Sequence, residues 1–241
     1  MQTLIRRSAM ALFLSLVLSD ATPAPAQGSQ QDVQFLPEVD AYLQLNSRFR
    51  AHLQAKGDRE GGDPLQAAVG PSLQLYLKPL VKLKEVVAFD LDDAKARFLV
   101  LETGYSYLVA PNAPLTNRML TAVTFNFPMG AGFHVSDRNR ADLNWKSGVF
   151  TWRYRNRLTV ERTFSIRSYH LIPYVAAEPY YESQYNKWST TELYAGCLFP
   201  VGSHVEFNPY FENENDTGKH PNDPQTEVGF ALYLFFSPEK K

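Results

Sequence analysis

Charge in this sequence is set at alternating positions. In the stretch VFTWRYRNRLTVERTF, Arg153, Arg155 and Arg157 interleave with Phe150, Trp152, Tyr154, Leu158 and Val160, and Glu161 keeps the arginines' spacing. Arg48 and Arg50 hold comparable places early in the chain, as do Glu102, Glu178, Glu182, Glu192, Glu206 and Glu212 further on. Guanidinium and carboxylate groups gathered on one side of a sheet can do two things. They can pair and stitch an interior together, or they can line a wet path that selects small ions or solutes.

Nucleophile chemistry has thinner support. A lipid hydrolase needs a Ser within reach of a His that an acid or amide orients. His134 and Ser136 share a strand face two residues apart, without a glycine-flanked Ser-Asn motif. A protease-type site at a rim could draw on His52 with Glu182, or on Asp216 with His220. His134, His170, His204 and His220 lack the paired spacing of zinc sites, so no metal and no cofactor is expected.

A period of two means extended strands with unlike faces, because successive side chains point to opposite sides of a sheet. Alternation marks Glu38 to Gln54, Leu65 to Lys78, Arg97 to Val109, Arg118 to Val135, Ala141 to Lys146 and Val149 to Phe164. It resumes over Tyr169 to Ser183, Ser189 to Phe199, Val205 to Glu212 and Thr226 to Phe236. Turns fall at GDREGGDP, APNAP, SDRNR, Ser147-Gly148, SQYNKW and NENDTGKHPNDPQ. Pro79 to Lys95 reads either as one long connection or as a further strand pair. The expected fold is all-β: a transmembrane up-and-down antiparallel barrel of about ten strands, with twelve as the alternative. With an even count both termini are periplasmic, and the longer polar loops point outward.

The N-terminus supports export. Arg6 and Arg7 precede the apolar run Met10 to Leu18, and Ala24-Pro25-Ala26 offers small residues for cleavage, which divides the chain into a signal peptide, 1–26, and a barrel, 27–241. The run is about half of what a spanning helix needs, and no longer one follows. With 241 residues and a net charge of −1, nothing suggests a nucleic-acid partner. A soluble periplasmic barrel would also alternate. It would have to pack all of its aromatic face into a small interior. Leu193, Ala195 and Phe199 share the apolar face with Cys197, and Trp145, Trp152 and Trp188 with the tyrosines suggest aromatic girdles at two interfaces. The expected surroundings are outer-membrane lipid, the barrel insertion machinery and small ions or solutes, with the chain monomeric.

The runs SDRNRADLNW, WRYRNRLTVER, PYVAAEPYYES, YNKWSTTELYAG and PYFENENDTG resemble an uncharacterised bacterial outer-membrane β-barrel family of unknown function. The likeness covers the chain from PEVDAYLQLNSRFR to the last strand, most specifically Asp137 to Glu161. It implies an exported outer-membrane barrel and supplies no catalytic residues. One departure is that Phe236 is followed by SPEKK, where such barrels usually end on an aromatic. The functional expectation is a non-enzymatic barrel, structural or a narrow pore with a charged lumen. The alternative is an outer-rim hydrolase, either an omptin-like protease or a lipid hydrolase.

Overall fold

The structure is a computed structural model that describes residues 34–58, 66–77, 90–111, 113–166, 169–218 and 223–237. Residues 1–26, expected from the sequence to be a signal peptide, lie outside the described residues, as do most of GDREGGDP, His220 and residues 79–89 of the long connection.

The first five strands are β1 (Gln34–Gln44), β2 (Phe49–Asp58), β3 (Gln66–Tyr76), β4 (Leu99–Val109) and β5 (Thr116–Gly130). β6 (Phe133–Lys146), β7 (Val149–Arg162), the short β8 (Phe164–Ile166) and β9 (Tyr169–Glu182) follow. β10 (Lys187–Val201), β11 (Val205–Asp216) and β12 (Asp223–Phe236) complete the wall. Each pairs with its neighbour in chain order, and β7 and β8 both pair with β9, forming one stave interrupted at Thr163. The result is a closed barrel of eleven staves. No α-helix occurs among the described residues; a single 3₁₀ turn spans Asp93–Ala96.

An odd count has a geometric consequence. Going around the barrel, direction alternates at every antiparallel pair, so the first and last strands of an odd set run the same way. β1 and β12 do pair in parallel, with Val39 beside Leu232, and the described chain therefore enters and leaves at opposite ends. This corrects both the count of about ten and the placement of both termini at one end.

The count differs because Glu38 to Gln54 is two strands. Asn46 turns the chain: its Oδ1 accepts from the backbone N–H groups of Arg48 (2.9 Å) and Phe49 (3.1 Å). Gln44 then faces Arg50 across the hairpin. SDRNR is the opposite case, since Ser136 to Arg140 lie inside β6. The turn sits earlier, at Ala131-Gly132, where φ is 51° and 78°. Ser147-Gly148, at 50° and 80°, makes the same tight connection between β6 and β7. Both are two-residue hairpins with two left-handed positions, whose twist matches that of the strands they join.

One end of the barrel carries the tight connections at Asn46, Ala131-Gly132 and Gly202 together with the long connection before β4. The other carries the loops after β2, β4, β9 and β11 and the Ser147-Gly148 turn.

Polarity across the wall is inverted relative to a soluble protein. Leu43, Leu53 and Leu158 are 47%, 49% and 48% exposed, whereas Asp142 is 0% and Glu178 2%. Among the described residues, Tyr76, Ala94 and Val100 form a small buried apolar cluster inside. Inward tyrosines fill much of the lumen beside the charges. Tyr174 and Tyr210 lie flat on the cross-strand glycines Gly196 and Gly229, where any Cβ would collide with the ring. The tyrosines thus divide: Tyr105, Tyr107, Tyr154 and Tyr181 join the outer aromatic surface, while Tyr42, Tyr180, Tyr194 and Tyr233 face inward.

Candidate functional site

The inner wall is built by register. On β7 the odd residues point inward, so Arg153, Arg155 and Arg157 enter the lumen in a column. On β6 the even residues do the same, which brings Arg140 and Asp142 beside them. Asp142 is the centre of this group. It accepts from Arg140 Nε at 2.6 Å and lies 3.3 Å from Arg153 Nη2 and 3.4 Å from Arg155 Nε. Glu178 of β9 takes the next share: Arg157 Nε donates to it at 2.6 Å, and Arg155 stands 3.5 Å away. Glu182 is 3.7 Å from Arg153, and Glu192 is 4.0 Å from Arg157. Phenols close the gaps, with Arg157 donating to Tyr194 at 2.8 Å and Arg155 to Tyr180 at 3.2 Å. Charges removed from bulk water persist when paired, and each of these groups has an opposite charge within 4.0 Å, although Arg155 Nε makes no hydrogen bond.

A second group lies across the lumen. His52 Nε2 is 2.6 Å from Asp40, and its Nδ1 is 3.0 Å from Ser72 Oγ and 3.5 Å from Glu102. Ser72 donates its own proton to Glu102 at 2.7 Å, and Arg138 reaches the same carboxylate at 2.9 Å. Because the serine proton is committed to Glu102, Ser72 can only accept from His52. The ring then donates from both nitrogens and behaves as a cation between two carboxylates. An Asp–His–Ser order is present, but its histidine holds no lone pair toward the hydroxyl.

The segment 90–98 folds into the lumen between these groups. Asp92 caps the 3₁₀ turn, accepting from the Ala94 N–H at 2.9 Å, and also binds Arg50. Lys95 bridges Asp90 (2.6 Å) and Glu161 (2.9 Å), and Asn126 donates to the carbonyl of Arg97 at 2.8 Å. Burial alone would raise the Asp92 carboxyl; the Arg50 and Lys95 cations outweigh it and hold the group below its ordinary value. Burial likewise lowers Lys95, but Asp90 and Glu161 more than reverse this, and its ammonium is held well above the usual range.

What remains of the lumen is a set of cavities. A mouth of about 370 Å³ is lined by Arg153, Glu182, Asn144 and Tyr185. Cavities of about 270 Å³ and 220 Å³ lie against Asp92 and Lys95. A tight one of about 100 Å³ separates Arg155 and Arg157 from Glu38, Glu212 and Glu227. Basic side chains concentrate on β6 and β7 and acidic ones on β10 to β12 and β1.

Of the residues picked out in the sequence, Arg50, Glu102, Arg153, Arg155, Arg157, Glu161, Glu178, Glu182, Glu192 and Glu206 all face the lumen. Arg48 does not: it is exposed in the turn before β2. His52 is not at a rim but is a half-buried partner of Asp40, and it stands apart from Glu182. His134 and Ser136 both point inward from β6, with His134 3.1 Å from Glu161. Arg138 and Arg140 lie in SDRNR, whose composition imitates a turn, and Asp142 lies in the short strand Ala141 to Lys146, where no alternation of charge marks it. Asp90, Asp92 and Lys95 escaped the sequence reading because their segment has no period. No protein-family model matches this chain, and no curated protein matches it.

Proposed function

We propose that this protein is a non-enzymatic β-barrel of the outer membrane, exported by a cleaved signal peptide. Its charged lumen is a narrow path for small ions or solutes, held shut by segment 90–98. One observation carries the membrane reading: aliphatic and aromatic side chains cover the outer wall while carboxylates and guanidinium groups fill the inside. Water would reverse that arrangement, whereas hydrocarbon outside and a wet lumen inside require it. The end with the tight turns and the C-terminal strand is then periplasmic, and the end with the longer loops faces outward.

The opposed charged walls and the Asp92–Arg50 and Lys95–Glu161 links support the gated path. The test is conductance of residues 27–241 refolded and inserted in a planar bilayer. The native barrel stays closed, and Asp92→Ala with Lys95→Ala gives discrete steps. Their ion selectivity changes when Arg153, Arg155 and Arg157 become Ala. A folded double variant that remains silent overturns the path.

A further inference from the structure

Outward-facing positions of this barrel are apolar almost throughout their middle, with one exception on the β6–β7 hairpin. Asp137 and Asn139 point outward from β6, and Tyr154 and Asn156 point outward from β7. Among the described residues, Asp137 is the one carboxylate on the outer face of a strand. The four are bonded together. Asn139 Nδ2 donates to Asp137 at 3.2 Å, and Asn156 Nδ2 donates to Asp137 at 2.5 Å and to Asn139 Oδ1 at 3.2 Å. The Tyr154 hydroxyl donates to Asn139 Oδ1 at 2.5 Å. The patch lies between two apolar bands: Trp145, Phe150 and Trp152 toward one rim, Phe133 and Phe164 toward the other.

Polar groups at this depth are costly against lipid tails and are retained where they face protein. A carboxamide has two N–H donors and a carbonyl acceptor. The bonds within the patch leave the Asn156 carbonyl and one N–H of Asn139 for a partner. Asn139 and Asn156 stand directly opposite each other in the hairpin, and strand tilt separates them in depth by only about 3 Å.

We propose that the β6–β7 wall is the interface of a homodimer, which rests on the membrane reading above. Two copies inserted the same way are related by a two-fold axis along the membrane normal, and each residue then meets partner residues at its own height. A surface carrying an amide donor and an amide acceptor at nearly one height is close to complementary to itself under that axis. Ala141 and Ala177, small and outward beside Tyr154 and Leu158, let the walls approach, and Leu143, Leu158 and Val160 supply the apolar rim. The monomer expected from the sequence is thereby replaced by a pair.

The test places single cysteines in a Cys197→Ala background: Leu158→Cys beside the patch and Leu53→Cys on the far wall. Each full chain is refolded into phosphatidylcholine vesicles at low protein-to-lipid ratio, floated, and treated with a short bis-maleimide. Covalent dimer is expected from Leu158→Cys and absent from Leu53→Cys. Adding Asn139→Leu and Asn156→Leu to Leu158→Cys reduces the dimer band about tenfold, with the barrel still resistant to unfolding in cold detergent. Protein that floats but gives no dimer, or equal dimer from both walls, overturns the interface alone. Protein that fails to float removes the membrane reading and the dimer with it.

Discussion

The β1–β2 and β6–β7 hairpins are built to the same plan and differ on both faces. Outward, β1–β2 presents Val39, Ala41, Leu43, Ala51, Leu53 and Ala55 without interruption, whereas β6–β7 breaks its apolar surface with Asp137, Asn139 and Asn156. Inward, β1–β2 balances its charges locally. Arg50 stacks over Tyr42 at 4.3 Å, Tyr42 stacks on His52 at 4.4 Å, and His52 lies between Asp40 and Glu102. β6–β7 instead gathers three guanidinium groups around Asp142 and depends on β9 for the remaining carboxylates. A barrel wall facing only lipid can be simple outside and self-sufficient inside. A wall that is polar outside and overcharged inside depends on its neighbours in both directions.

The largest expected effect tests the inner half of that contrast. Asp142→Ala leaves Arg140, Arg153 and Arg155 facing one another in a buried setting, a loss of about 3–5 kcal/mol for a broken buried network. Asp40→Ala removes one of two acceptors from His52 and leaves Glu102 in place. Its cost is about 1–3 kcal/mol, that of an unsatisfied buried donor. Urea unfolding of both variants in vesicles measures the difference. Equal costs would erase the distinction between the two charge centres.

The outer half predicts a smaller pair of effects. On the proposed membrane reading, Leu53→Arg on the β1–β2 wall costs about 2–4 kcal/mol, since a cation there would meet hydrocarbon. Asn156→Leu costs about 1 kcal/mol, the net worth of its bonds to Asp137 and Asn139 set against a better match to lipid. The same unfolding assay reads both. A Leu53→Arg barrel as stable as the native one would show that the β1–β2 wall faces water.

The same two hairpins show what a single sequence can and cannot reveal. Faces were legible in both, because a period of two survives wherever one side meets an apolar medium. Ends were not. In β1–β2 the bend from Leu45 to Arg48 preserves parity, so Leu43, Leu45, Phe49 and Ala51 keep alternating through a turn, and two strands read as one. In β6 both faces are polar from Ser136 to Arg140, which removes the alternation and imitates a turn. The true connection, Ala131-Gly132, lay hidden inside an apolar run. The inward arginines and glutamates were found because they alternate with Phe, Trp and Leu. Their partners on β6 and on segment 90–98 lack that frame and became visible only through pairing.

Segment 90–98 links the two walls, with Asp92 on Arg50 of β2 and Lys95 on Glu161 of β7, so pH separates their contributions. Asp92 is held below its ordinary value when docked, so its stabilising share is complete above that value and is lost as pH falls through the lower one. Lys95 is held above its ordinary value, so its share is complete at all pH below the usual amine range and is lost only far into alkali. Asp90 acts in the opposite sense: burial pushes its carboxyl up, and its protonation on acidification relieves the docked state. Release from the β2 side is therefore confined to below about pH 4, the ordinary carboxylate value. The effect is the smallest of those predicted here. An environment-sensitive label at Ala94→Cys, in a Cys197→Ala chain, reads it as a spectral change that is flat from pH 5 to 9 and begins below about pH 4. A transition centred between pH 5 and 7 would overturn the assignment of release to the Asp92–Arg50 link.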